Sequence, residues 1–266
     1  MSKFTDQKYL TTDQYKDSTN LDARLEIHKR FSTNEYGWFN WIFDTLIKLP
    51  AGARILEIGC GPAYLWRECA NRIPAGWNIT LSDISPGMVD AAWRNLVATG
   101  RPFKFEQIDA QSIPYADEIF DVVIANHILF HVPDKKKALE EIKRVLKPSG
   151  HLIATTVGGQ HMREMNMWLR RVNLEKSHEN FAYSFTLENG LGQLEQFFPQ
   201  VNISRYVDDL NVTEVEPILA YIRSTLSVSN LSEEEIQNIK DSLEIELKEK
   251  GKIFIQKDSG LFEAVK

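Results

Sequence analysis

Apolar residues recur along this chain at two alternating periods. Ile55-Leu56-Glu57-Ile58, Ile79-Thr80-Leu81-Ser82-Asp83, Phe103-Lys104-Phe105-Glu106-Gln107-Ile108, Phe120-Asp121-Val122-Val123-Ile124-Ala125 and His151-Leu152-Ile153-Ala154-Thr155-Thr156-Val157 are short runs with the apolar, β-branched and aromatic content of strands. Helical spacing fills two of the gaps. Ser85-Pro86 caps and starts a helix continuing through Met88, Val89, Ala92 and Trp93. A second helix runs from about Asp134 to Leu146, with Ala138, Leu139, Ile142 and Val145 on its apolar face. Strands alternating with helices over residues 50–157 predict a parallel sheet. Phe120–Ala125, almost continuously apolar after its acid, is the expected central strand, covered on both faces.

The flanks read differently. Residues 21–32 and 35–48 are expected helices, with Trp38, Trp41, Ile42 and Thr45 at helical spacing. After the fifth strand, Gly158-Gly159-Gln160-His161-Met162 leads into a helix over Arg163–Leu174, and Thr186 caps another through Phe197. Met162, Met165, Met167, Trp168 and Leu169 either line an apolar cavity or pack between helices. A strand at Val201–Tyr206 precedes a helix over Glu214–Ser224. Ser232 and Glu235 form a capping box for a last helix that ends at Gly251. Lys252–Ile255 is expected to pair with Gly260–Val265, across a connecting loop or as one bulged strand.

The chemistry concentrates at strand ends. Ile55–Ile58 runs into the turn Gly59-Cys60-Gly61-Pro62-Ala63, which brings backbone close to a ligand, and the next strand ends at Asp83, an acceptor for ribose hydroxyls. The pyridine-nucleotide fingerprint places a third glycine where Tyr64 stands, which weakens a dinucleotide reading. Taken with Glu57, the turn resembles the first motif of the class I S-adenosylmethionine-dependent methyltransferases, with Ala63 replacing its last glycine. Asp83, Ser85 and Met88 resemble that family's Asp-x-Ser-x-x-Met, and Leu146-Lys147-Pro148-Ser149-Gly150 its Leu-Lys-Pro-x-Gly turn.

The resemblance implies an α/β, Rossmann-like seven-stranded methyltransferase sheet in order 3-2-1-4-5-7-6, the last strand antiparallel, with helices on both faces. It implies a single domain over residues 1–266, divided into an amino-terminal helical lid or cap (1–48), a cofactor-binding core (50–157), a helical insertion covering substrate (158–200) and carboxy-terminal elements completing the sheet (201–266). S-Adenosyl-L-methionine is then the expected cofactor. The implied cofactor residues are Glu57, Gly59, Cys60, Gly61, Asp83, Ile84, Met88, Asp109, Ala110 and Asn126, with Asp83 on ribose and Asp109 and Ala110 on adenine. His127 and His131, after the fourth strand, are candidate bases, His127 slightly favoured as nearer the strand end. Tyr15, His28, Phe31, Tyr36, Trp38 and His161 are the substrate or lid candidates.

Composition narrows the acceptor. A formal charge of −6 with mixed signs gives no basic surface for nucleic acid. No apolar stretch spans a bilayer and no secretory signal opens the sequence, so no membrane partner and a cytoplasmic location are expected. The two cysteines, Cys60 and Cys69, lack zinc-site spacing, and no metal site is expected. The expected activity is methyl transfer to oxygen or nitrogen of a small molecule. The alternatives are an RNA or protein methyltransferase, or a non-enzymatic cofactor-binding regulator.

Overall fold

The computed structural model describes residues 3–172, 184–225 and 231–266. The chain opens with a helical turn, α1 (Gln7–Tyr9), that widens through Gln14, followed by α2 (Thr19–Phe31) and α3 (Trp38–Leu46). Next come β1 (Arg54–Ile58), α4 (Tyr64–Glu68), β2 (Asn78–Asp83), α5 (Pro86–Leu96), β3 (Phe103–Gln107), β4 (Phe120–Asn126), α6 (Lys135–Val145) and β5 (Leu146–Val157). The remainder is α7 (Arg163–Val172), α8 (Gly190–Leu194), β6 (Gln200–Tyr206), β7 (Asp209–Val212), α9 (Val215–Arg223), α10 (Glu233–Lys250), β8 (Ile253–Gln256) and β9 (Ser259–Val265).

Seven strands form one sheet in the order β3-β2-β1-β4-β5-β9-β6. With β6 and β9 as its sixth and seventh strands this is the expected 3-2-1-4-5-7-6. β1 to β5 pair in parallel, whereas β9 runs antiparallel to both β5 and β6. Two apolar layers cover the sheet. One packs Leu139, Ile142 and Val145 of α6 with Phe120, Val123 and Phe262, and the other packs Phe43, Trp66 and Ala92 with Ile55, Leu81 and Ile124. The parallel strands therefore end together at one edge of the molecule, where such folds bind ligands.

A third core lies outside these layers. Ile27 and Phe31 of α2, Met165, Trp168 and Leu169 of α7, and apolar residues of α9 and α10 enclose the small β7–β8 sheet. This pairing corrects the expected terminal hairpin: Ile253 opposes Val212 and Ile255 opposes Leu210, while β9 enters the main sheet. The reason is burial. Ile253 and Ile255 face the third core and Phe262 and Ala264 face the main one, so the two segments satisfy different apolar layers. Of the insertion residues, Met162, Met165, Trp168 and Leu169 are packed in the third core, and Met167 is exposed. The Thr186 hydroxyl accepts from the Glu188 and Asn189 amides ahead of α8, which is shorter than expected, and the end of the helix expected to reach Leu174 falls outside the described residues.

The amino-terminal residues lie across the strand ends as a strap. Gln7 Nε2 donates to Asp109 Oδ2 at 3.0 Å, Gln14 Nε2 to the Ser224 carbonyl at 2.9 Å, and Ser85 Oγ to the Tyr15 carbonyl at 2.7 Å. Gly87 makes room for it, since a Cβ there would lie 1.8 Å from the Lys16 carbonyl oxygen. Gly87→Ala is therefore expected to lift the strap while sparing the sheet. Hydrogen exchange should show amides 7–17 opening about tenfold more often, with strand amides unchanged; unaltered protection of the strap contradicts this placement.

Candidate active site

The turn after β1 is built on left-handed backbone. Gly59 has φ +66° and Gly61 φ +52°, and a Cβ on Gly59 would lie 2.2 Å from Ile128 Cγ2. Ala63, standing where the family motif has glycine, also has φ 58°, a conformation that costs a residue with Cβ about 1 kcal/mol. The turn is anchored on its strand side by the Cys60 amide donating to Ser82 O at 2.8 Å.

Three carboxylates surround this turn. Glu57 is buried; Asn126 Nδ2 donates to its Oε1 at 2.7 Å, and Trp66 Nε1 donates to Oε2. Desolvation raises its pKa to about 7, against the lowering effect of these donors. Asp83 accepts the Gly61 amide on Oδ2 at 3.0 Å and the Ser85 amide on Oδ1 at 2.9 Å. Burial raises its pKa to about 6 despite both bonds. At Asp109 burial also pushes upward, but donors from Gln111 and Gln7 outweigh it and hold the carboxyl below its usual range.

These residues open onto a cavity of about 380 Å³. All ten expected cofactor residues line it, as do His127, His131, Tyr15, His28, Trp38 and His161. Phe31 and Tyr36 do not. Phe31 belongs to the third core, and Tyr36 is exposed with its hydroxyl donating to Asp44 at 2.7 Å, so neither covers the cavity as expected. Spacing within α3 explains the split: Trp38, at its start, stacks near His127 with ring centroids 5.6 Å apart, whereas Tyr36 precedes the helix on the solvent side. Sequence reasoning missed Gln7, Arg24 and Tyr221, which line the same space. Leu21, Arg24, Leu25 and His28 recur at i, i+3, i+4 and i+7 on α2, and that spacing was the available signal.

The histidines are held neutral. Burial lowers His127 and His131 to about 4 and His161 to about 3, and pushes His28 well down. His127 adopts φ +52°, and its amide donates to Thr155 O at 3.2 Å and Oγ1 at 3.1 Å. His131 has a defined tautomer. Its Nδ1 lies 2.9 Å from the Phe4 carbonyl, which can only accept, so Nδ1 carries the proton and Nε2 accepts the Tyr15 hydroxyl at 2.9 Å.

Residues 56–154 match the family of the methyltransferase domain. The chain carries a class I S-adenosylmethionine-dependent methyltransferase domain. It is 30% identical to the malonyl-[acyl-carrier protein] O-methyltransferase of Enterobacter lignolyticus over 60% of this chain and 61% of that protein. It is 34% identical to the demethylmenaquinone methyltransferase of Lactobacillus johnsonii over 43% of this chain and 47% of that one. The chain thus spans about half the length of these curated relatives. In fold it is similar to the Haemonchus contortus phosphoethanolamine N-methyltransferase 2 bound to phosphomonomethylethanolamine and S-adenosylhomocysteine. That likeness has a TM-score of 0.60 at 19% identity and covers 100% of this chain and 60% of that one.

S-Adenosylmethionine is the cofactor of this domain, and the cavity suits it. Each Asp83 oxygen has taken one backbone donor and retains lone-pair capacity for a ribose hydroxyl. Ile84, Met88 and Ala110 supply apolar surface next to it. Among the described residues no three His, Cys, Asp or Glu side chains converge as a metal site, and no helix is long and apolar enough to cross a membrane.

With Asp83 as the expected ribose acceptor, only its ionised form accepts both hydroxyls, so protonation should weaken binding. The affinity for S-adenosylhomocysteine is expected to be flat from pH 8 to about 7 and to fall as pH drops through about 6, by up to about tenfold per unit. His127, His131 and His161 of the cavity stay neutral down to pH 5, so the cavity's pH response between pH 5 and 8 comes from its carboxylates, and calorimetry over that range reads it. Asp83→Asn should bind weakly with a flattened profile; an unchanged pH slope in that variant assigns the titration elsewhere.

Proposed function

We propose that this protein is a methyltransferase acting on oxygen or nitrogen of a small-molecule acceptor, with Tyr15 and His131 moving the acceptor's proton. The observation that carries the reading is the chain of hydrogen bonds Tyr15 O–H to His131 Nε2 and His131 Nδ1–H to Phe4 O, within the cofactor cavity. S-Adenosylmethionine, when bound, supplies a methyl group already activated on a sulfonium. The chain's own task is to exclude water, align the acceptor and receive its proton. Tyr15 O takes the acceptor's proton as its own passes to His131 Nε2, and the Phe4 carbonyl stabilises the imidazolium through Nδ1–H. A histidine lowered to about 4 is a weak base, yet the proton on an acceptor oxygen becomes strongly acidic as the incoming methyl makes it a three-substituted oxonium, so late transfer suits it. This favours His131 over His127, whose ring lies against Trp38 at a tilt and has no hydroxyl partner among the described residues.

The strap closes the acceptor space from above, so the amino-terminal cap and the cofactor site act together. The enclosure, lined by Leu10, Leu25, Phe39, Phe130 and Val157 among polar groups, suits a compact acceptor with an apolar body. The demethylmenaquinone methyltransferase relative supports this class. Labelled methyl transfer into a size-fractionated extract should place the label in the low-mass fraction. His131→Gln should lower turnover by about 10²–10⁴-fold with S-adenosylhomocysteine affinity kept within about twofold. Label confined to RNA or protein, or full turnover in the variant, contradicts the proposal.

A further inference from the structure

Arg24 is the unusual residue of this cavity. Its one hydrogen bond among the described residues runs from Nε to the Asn20 carbonyl at 3.1 Å, and Nη2 is buried without a partner. Arg24 forms no ion pair with a described carboxylate: Asp22 accepts the Tyr64 hydroxyl, and Glu57 and Asp83 accept the donors given above. The guanidinium carbon lies 5.5 Å from the centre of the Tyr15 ring, beside the proposed proton path. One turn further along α2, His28 also has a buried, unpartnered nitrogen, Nδ1. The rings near His28 belong to Tyr221 and His161, at 6.0 and 6.4 Å. His161 accepts the Asp258 amide on Nδ1 at 3.2 Å, which leaves its proton on Nε2 as a donor.

A guanidinium with unused N–H groups among neutral imidazoles and apolar walls is an expensive arrangement in a free-standing site, since a buried charge without a counter-charge loses hydration and gains little. An oxyanion reverses the balance. It accepts from the planar fork of arginine and from imidazole N–H groups together. We propose that Arg24 and His28 form an oxyanion-binding subsite on the acceptor side of the cavity, so that the acceptor carries a carboxylate or phosphate besides its methyl-accepting atom. This rests on the methyltransferase reading above. His28 places the subsite away from the cofactor turn: Leu21, one turn earlier on the same face, is the α2 residue nearest Gly61, and His28 lies two turns beyond it against Tyr221 and His161. The methionine carboxylate of the cofactor is the competing occupant.

The test titrates inorganic phosphate and benzoate into protein saturated with S-adenosylhomocysteine, which fills the cofactor's own carboxylate position. Wild type should bind at least one anion saturably, and the stronger of the two identifies the group as phosphate or carboxylate. Arg24→Met should weaken that anion by about tenfold or more while leaving S-adenosylhomocysteine within about twofold, and Arg24→Lys should recover part of the loss. Thermal melting of both variants checks folding. Saturated wild type that takes up neither anion overturns the proposal. So does an Arg24→Met variant that loses S-adenosylhomocysteine by tenfold with anion binding unchanged, which assigns the guanidinium to the cofactor. A wild type that does not bind S-adenosylhomocysteine strikes the cofactor reading instead, and the same anion titrations on the free protein and Arg24→Met still decide the subsite.

Discussion

Tyr15 is tied at both ends, and the site depends on it. Its carbonyl accepts from Ser85 Oγ, the cap of α5 beside Asp83, and its hydroxyl donates to His131 beyond β4. One residue of the strap therefore spans from Ser85, beside Asp83, to the His131 imidazole. Without that span the strap would hang on Gln7, Gln14 and the Phe4 carbonyl, and His131 Nε2 would lose the hydroxyl that donates to it. Gly87 is the complementary constraint, because only a residue without Cβ lets the Lys16 carbonyl approach α5 so closely.

Burial organises the electrostatics around this tie. Glu57 and Asp83 are raised toward neutrality by desolvation but are held by Trp66, Asn126, Gly61 and Ser85, so they serve as fixed acceptors at the strand ends. The cavity histidines on the other side are neutral for the same reason, with Arg24 and the Asp208-paired Lys257 as the cations near them. The cavity thus has an acceptor-rich wall for hydroxyls and amines and a donor-rich wall for a different group. On the proposed reading, that division gives the cofactor and the acceptor facing walls of distinct chemistry.

The sheet and the cavity wall at its strand ends were legible in the sequence because both depend on local pattern. Alternation of strand and helix placed β1 to β5, and an acid or glycine at each strand end faces the edge where parallel strands terminate, so Glu57, Gly59, Asp83, Asp109 and Asn126 arrived together. What stayed hidden depends on distant packing. The pairing of β8 with β7 is decided by the third core, whose members come from α2, α7, α9 and α10, and no local signal separates it from a terminal hairpin. Tyr36 and Trp38 are two residues apart and equally aromatic, yet Tyr36 sits in the exposed turn before α3 while Trp38, the helix's first residue, faces the cavity. Arg24 was passed over because an arginine on an amphipathic helix ordinarily faces water; the Leu21–Leu25–His28 stripe around it carried the contrary indication.

The central claim is that the Tyr15 hydroxyl and His131 work as one unit, and a double-mutant cycle on turnover tests it most directly. Tyr15→Phe removes the hydroxyl but keeps the carbonyl that holds Ser85, and His131→Gln removes the base. Each single variant should lose about a hundredfold or more in kcat at saturating cofactor, and the double variant should be no slower than His131→Gln by more than about threefold. Losses that multiply, so that the double variant falls by the product of the two singles, would show two independent residues and contradict the account.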